Sequence, residues 1–213
     1  RLIGVNSHLN IYSFNEKINL NQINTLKINL DSTDYDKLLP SIETQGLVVN
    51  NKISRGVIIR GYEDFNSSHY LYDQIITKKL NSINFNQIII GDALAKDLKL
   101  KIGDKLKLAI PKTDKSLLGD IPRFKTLIVS GIFDFGMYEY DVGLVFISLE
   151  LAQRLLLFED NYFNRIEFYL DNPLSVNKFK KQLDLNISNK DLSLYSLSWI
   201  ERNSSLMNAL KVE

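Results

Sequence analysis

Apolar residues change period several times along the chain, and each change predicts an element. Residues 8–12, HLNIY, read as a short strand. Residues 22–30, QINTLKINL, place Ile23, Leu26, Ile28 and Leu30 in imperfect alternation, which predicts a second strand. Asp31 and Ser32 are cap-type residues, and Tyr35, Leu38, Leu39 and Ile42 follow at i, i+3, i+4 and i+7, the spacing of one helix face. Pro40 weakens that helix and Gly46 stops it; GLVVNN and residues 52–63 then predict strands. Much later the pattern returns. Ile166, Phe168 and Leu170 alternate, Asn172-Pro173 supplies a cap with proline at the first helical position, Val176, Phe179 and Leu183 make a helix face, and 191–197 reads as a strand. The two strand–helix–strand units share a pattern and no residue-level identity. Two such units can pair in one mixed sheet with helices on one face, a ferredoxin-like or split βαβ arrangement.

Between them, residues 64–158 predict an insertion with its own core. NQIIIGDALAKDL runs from an apolar strand through Gly91-Asp92 into a short helix with Leu94 and Leu98 inward. A turn at Gly103-Asp104 leads into alternating Leu106, Leu108 and Ile110. RFKTLIVSGIF and GLVFISL predict strands, and ELAQRLLLF a helix. The closing segment SWIERNSSLMNALKVE reads as helical, with Trp199, Leu206 and Leu210 inward and no stop signal. The expected class is α+β: a discontinuous unit of 14–63 and 159–198, a mainly-β insertion, and connections at 1–13 and 199–213.

Composition narrows the chemistry. The net charge of +1 gives no bulk reason to bind nucleic acid or an anionic membrane. The absence of cysteine excludes disulfides, Cys-ligated zinc and thiol catalysis. His8 and His69, the only histidines, are far apart, which argues against a His metal site or a Ser-His-Asp triad. No run of about 18 apolar residues predicts a membrane span. The chain begins at Arg1 without methionine or signal peptide and reads as a piece of a longer protein. Asp134, Glu139 and Asp141 are acidic neighbours without a fixed pair spacing, so solvated or structural roles are expected. No phosphate-loop motif accompanies the Gly-Asp pairs, and Asn-x-Ser sequons such as those at Asn66, Asn186 and Asn203 are expected by chance in an Asn- and Ser-rich chain. No catalytic residues, metal or cofactor are expected.

One stretch stands apart. Residues 111–122 separate two good strands, although hairpin loops usually take roughly 2–5 residues. The segment is Pro111, Lys112, Thr113, Asp114, Lys115, Ser116, Leu117, Leu118, Gly119, Asp120, Ile121 and Pro122. Proline stiffens both ends, and neighbouring leucines hold the centre. Such leucines either form a contact surface or fold back onto the core of the insertion. Lys107, Arg123 and Lys125 on the adjoining strands can form a basic collar for an acidic partner, or simply solvated strand faces.

IIIGDALAKDLKLKIGDKLKL resembles the I-I-G-x-x-L-A-x-x-L-x-L-x-x-G-D-x-x-x-L pattern in the periplasmic domain of lipoprotein-releasing ABC-transporter permeases of the LolC/LolE type, within the wider MacB-like family. GIFDFGMYEYD followed by LVFISLELAQRLL strengthens the likeness, as do GVNSHLNIYS and SWIERNSSLMNALKVE at the two ends. The order and spacing of these motifs cover nearly the whole chain. The resemblance implies a Porter-like subdomain built of the flanking units and an inserted Sabre-like subdomain, held in the periplasm of a Gram-negative bacterium between membrane helices. It implies a complex that extracts lipoproteins from the inner membrane, driven by a separate cytoplasmic ATPase subunit, with a partner permease subunit in a homo- or heterodimer. It also implies delivery to a soluble periplasmic carrier gripped by a hook. By position, Pro111 to Pro122 are the hook, and Lys107 and Lys125 match a basic patch. Phe124 stands where the family pattern has a polar residue. The alternatives are an efflux-type MacB-like domain coupled to an adaptor or outer-membrane channel, or the lipoprotein-receiving partner subunit without carrier docking.

Overall fold

The computed structural model of the protein describes residues 6–28, 30–31, 33–64, 75, 83–110 and 123–204. The chain runs through β1 (Leu9–Ser13), β2 (Ile18–Asn19), α1 (Leu20–Ile28), β3 (Lys37–Asn50), β4 (Ile53–Tyr62), β5 (Gln87–Gly91), α2 (Asp92–Leu98) and β6 (Lys105–Ile110). It continues through β7 (Arg123–Phe133), α3 (Tyr138–Gly143), β8 (Leu144–Ser148), α4 (Leu149–Leu156), β9 (Tyr162–Phe163), β10 (Arg165–Tyr169), α5 (Val176–Asn189), β11 (Leu194–Ser198) and α6 (Trp199–Arg202). The mixture of helices and strands is as expected. It divides into two compact units, Arg1–Ser41 with Asn161–Glu213, and Ile42–Asp160.

In the first unit the strands lie in the order β11–β1–β10–β3, every pairing antiparallel. The Phe168 ring on β10 lies 5.3 Å from Tyr35 and 5.2 Å from Phe179 on α5. Val176, Phe179, Leu183 and Ile187 form the buried stripe of α5, at the helical spacing read from sequence. Two other sequence expectations fail here. The predicted strand at 22–30 is the helix α1. Asn19 and Gln22 cap it reciprocally: the Asn19 side chain accepts from the Gln22 N–H at 2.9 Å, and the Gln22 side chain accepts from the Asn19 N–H at 2.9 Å. Ile23 and Leu26, one turn apart, are its buried residues, whereas Ile28 faces solvent.

The predicted helix around Tyr35–Ile42 is instead the start of β3, with Leu38 opposite Phe168 and Pro40 opposite Ile166. Among the described residues, positions 37–41 pair with β10 alone, so the missing proline N–H leaves no second ladder short. Pairing overrode a local helical period. β1 and Trp199–Arg202, expected to be connections, belong to this unit: β1 pairs on both sides, and Ser198 and Glu201 form a capping box on α6.

The other face of β10 buries charge. Arg165 and Glu167 side chains are each 1% exposed. Arg165 Nη2 and Ser41 Oγ donate to Glu167 Oε1 at 2.5 and 2.7 Å, and the Tyr169 hydroxyl donates to Oε2 at 2.8 Å. The Arg165 Nε also donates to Ser41 Oγ at 3.2 Å.

In the second unit, residues 42–50 of β3 enter a ring of strands, β3–β4–β8–β5–β7–β6, and β6 pairs back onto β3. The ring is a closed barrel. Pairs β4–β8 and β5–β7 are parallel and the rest antiparallel. Val48, Ile59, Leu108, Leu127 and Val129, all fully buried, fill its interior. The boundary between units therefore falls within β3 and not near residue 64: the strands predicted at 46–51 and 52–63 are barrel strands. At the end of β5, Gly91 lies against the backbone of Asp141 on α3, where a Cβ would overlap the Asp141 carbonyl oxygen. Among the described residues no helix is long and apolar enough to cross a membrane.

Removing one member of a buried ion pair strands the other, at a cost of about 3–5 kcal/mol. Arg165→Met is expected to lower the urea-unfolding stability of the chain by about that amount, and Arg165→Met with Glu167→Leu to recover most of it. Equal losses in the single and double variants would show that the pair is not the source.

Candidate docking site

Residues 111–122 lie outside the described residues, so the hook assignment rests on what flanks it. β6 and β7 stay in antiparallel register to their last pair, Ile110 opposite Arg123. The chain therefore leaves the barrel at Ile110 and re-enters directly across the ladder. The attachment point of 111–122 is thus one rim of the barrel, set by six consecutive pairs from Lys105–Ile128 to Ile110–Arg123.

The same register sorts the flanking residues, because directly opposed residues share a face. Lys107 opposite Thr126 and Ala109 opposite Phe124 face outward; Leu108 opposite Lys125 and Ile110 opposite Arg123 take the other face. The basic collar is thereby divided. Of the three collar residues, Lys107 is the one on the outer wall. Arg123 Nη1 donates to the Leu155 carbonyl at 2.6 Å, an interaction with the negative end of α4. Lys125 Nζ lies 4.6 Å from the centre of the Phe85 ring, and the Arg154 guanidinium 4.8 Å from the same centre. Phe85 and Arg154 were missing from the sequence reading. No local spacing links 85, 125 and 154; only the barrel brings them together.

The outer wall is partly apolar. Phe124 is 59% exposed and opposes Ala109, which opposes Leu47 on β3, which opposes Gly56 on β4. Beyond Leu47 an open groove of about 600 Å³ lies over Gly56, between Leu47, Ile58 and Glu139. Apolar surface thus extends around the wall from the foot of β7.

The acidic motif at 134–141 is structural. Asp141 Oδ1 accepts from the Phe135 N–H at 2.8 Å and Oδ2 from the Met137 N–H at 3.2 Å, while Asp134 accepts from the Gly136 N–H at 2.7 Å. These bonds tie the turn between β7 and α3. Burial, aided by the neighbouring Asp134 carboxylate, holds the Asp141 carboxyl above its ordinary 3.8, although the two N–H bonds pull the other way. Among the described residues no group of three or more His, Cys, Asp or Glu side chains is placed to hold a metal.

A carboxyl raised in the folded state binds its proton more tightly there than in the unfolded chain. Its contribution is fully present below 3.8 and is lost as pH rises through the raised value. Urea midpoints measured across that window are expected to show this loss in the wild type and not in Asp141→Asn. Parallel pH profiles for the two proteins would contradict it.

No family model matches the chain. Among curated proteins it is 29% identical over 212 residues to the lipoprotein-releasing system transmembrane protein LolC of Buchnera aphidicola subsp. Acyrthosiphon pisum, covering 97% of this chain and 50% of that protein. It is 27% identical over 210 residues to LolC of Buchnera aphidicola subsp. Schizaphis graminum, covering 93% and 49%. LolC of Xylella fastidiosa strain 9a5c is 28% identical over 127 residues, 59% of this chain and 29% of that protein. The chain spans about half the length of the Buchnera relatives it matches. Among solved structures, the periplasmic region of MacB from Actinobacillus actinomycetemcomitans aligns with a TM-score of 0.57 at 11% identity, covering 98% of this chain and 95% of that one. The extracellular domain of the noncanonical ABC-type transporter YknZ from Gram-positive bacteria aligns with a TM-score of 0.55 at 11% identity, covering 91% and 100%. At that identity the likeness is one of fold. The resemblance read from the sequence, to LolC-type permeases within a MacB-like fold, is borne out.

Proposed function

We propose that the chain is the periplasmic domain of an inner-membrane ABC-transporter permease that releases lipoproteins and passes them to a soluble periplasmic carrier, which docks on residues 111–122. The observation that carries this reading is the similarity to LolC along nearly the whole chain. The register of β6 and β7 supports it, because it sets Ile110 and Arg123, the residues that flank 111–122, opposite each other at one rim of the barrel. The domain's role is docking. ATP hydrolysis belongs to a separate cytoplasmic subunit, and a second permease subunit, identical or related, completes the membrane complex.

Leu117 and Leu118 supply the driving force. Burying each in a carrier groove gives roughly 1.5–3 kcal/mol before ordering costs are subtracted. The basic residues at the rim add encounter rate and orientation more than affinity. The sum is a weak to moderate complex, which suits a transient hand-off.

Titration calorimetry of the 213-residue chain against a soluble lipoprotein carrier from the same organism tests the reading. Wild type is expected to bind. Leu117→Asp with Leu118→Asp is expected to abolish binding while leaving the circular dichroism spectrum unchanged. Unaltered binding by the double variant would remove the hook assignment. A folded wild-type chain that binds no carrier would move the reading to the lipoprotein-receiving subunit or to the efflux-type relatives.

A further inference from the structure

The sheet of the first unit, β11–β1–β10–β3, ends in two edges that pair with no further strand among the described residues. An open edge offers its N–H and C=O groups to any other strand that meets it. At residues 37–41 of β3 the sequence itself blunts the edge, with Lys37 and with Pro40, which has no N–H to offer. β11 is LYSLS, with neither proline nor charge. Its protection comes from α5 and α6.

The register shows which groups β11 exposes. The Phe14 N–H donates to the Ser193 carbonyl at 3.1 Å and the Trp199 N–H to the His8 carbonyl at 2.8 Å. Alternate residues share a direction, so Tyr195 and Leu197 turn their backbone groups toward β1, and Leu194, Ser196 and Ser198 turn theirs out of the edge. Lys180 Nζ on α5 donates to the Ser196 carbonyl at 3.1 Å and to Ser196 Oγ at 2.9 Å. The Ser198 N–H donates to Glu201 Oε2 at 2.8 Å. Asp184 holds the Lys180 ammonium at 2.8 Å, and Glu201 lies 3.8 Å from it. The Lys180 side chain is only 19% exposed, so the ammonium is kept against the strand. Beside it a groove of about 420 Å³, bordered by Phe14, Leu192, Leu194 and Tyr195, leaves room for an extended segment.

We propose that Lys180, held by Asp184 and Glu201, guards the open edge of β11 against pairing with the same edge of a second copy of this chain. The edge is self-complementary. Under a two-fold axis through Tyr195, the N–H and C=O of Leu194 face those of Ser196 on the other copy, and two sheets join into one. Lys180 occupies the Ser196 carbonyl that this pairing needs. A second copy must first pull the ammonium from that carbonyl and from two carboxylates. The guard is independent of residues 111–122 and of what docks there. It lets two copies stand side by side without their sheets fusing.

Analytical ultracentrifugation of the 213-residue chain over a wide range of concentrations tests the guard. Wild type is expected to be monomeric. Lys180→Met keeps the stem and removes the charge and its donors; it is expected to raise the association constant about tenfold or more, the worth of a hydrogen bond to a charged group. Lys180→Arg is expected to behave as wild type. Should Lys180→Met fail to fold, Lys180→Gln, whose shorter side chain falls short of the Ser196 carbonyl, carries the test. A cysteine then identifies the surface. In the paired copies, position 195 stands opposite itself at the closer of the two antiparallel spacings. Tyr195→Cys is expected to give disulfide-linked dimers under mild oxidation when combined with Lys180→Met and not when Lys180 is intact. Leu174→Cys, exposed and outside β11, is expected to give none in either background. Folded Lys180 variants that associate no more than wild type would overturn the guard. So would Tyr195→Cys dimers that form equally well with Lys180 intact.

Discussion

The closure of β6 onto β3 is the constraint on which the candidate site depends. The pairs Leu47–Ala109, Val48–Leu108 and Val49–Lys107 turn a curved sheet into a barrel. Closure removes the free edges that a sheet would otherwise expose and fixes the stagger of every strand. Gly46 accommodates it: a Cβ there would meet the Ala109 carbonyl oxygen and the Ile59 side chain, each at 2.6 Å. Once β6 is locked between β3 and β7, Ile110 and Arg123 are held side by side. A short apolar contact delivered from a rigid base loses less entropy on binding than the same contact on a loose loop. The barrel also determines which basic residues meet, because the ladder assigns each a face.

Charge serves two ends in this chain. Arg165 and Glu167 are shut away from water, with Ser41 and Tyr169 also bonded to the carboxylate, so the pair specifies how β10 sits against β3 more than it adds stability. Lys125 and Arg154 instead meet over the Phe85 ring, Arg154 well exposed to water. Asp141 belongs with the first kind: its carboxylate closes a turn with backbone N–H groups.

Much of the second unit was legible in the sequence. The strands at 87–91, 105–110, 123–133 and 144–148 and the helices after Gly91 and Ser148 stand where period, caps and turns put them, because local preference and final pairing agree. The first unit was less legible. Ile23 and Leu26 fit a helix, but Ile28 and Leu30 also lined up with a strand, and the deciding cue was the reciprocal Asn19–Gln22 cap just upstream. For residues 35–42 a helical period coincided with a sequence that β10 recruits as a strand; that information lies more than a hundred residues away. Of the site, 111–122 was marked by its length, its prolines and its leucines. The basic collar was only partly legible. Alternation along β6 and β7 was enough to separate Lys107 from Lys125, while Phe85 and Arg154 had no sequence signal at all.

The central claim is that a lipoprotein carrier docks at the rim where β6 and β7 end. The chain contains no cysteine, so a single introduced cysteine bearing a photo-crosslinker reports from one place only. Placed at Leu118, it is expected to yield a covalent adduct with the carrier on illumination. Placed at exposed Ile102, in the turn before the opposite end of β6, it is expected to yield none. Adducts of equal yield from both positions, or from Ile102 alone, would contradict the account.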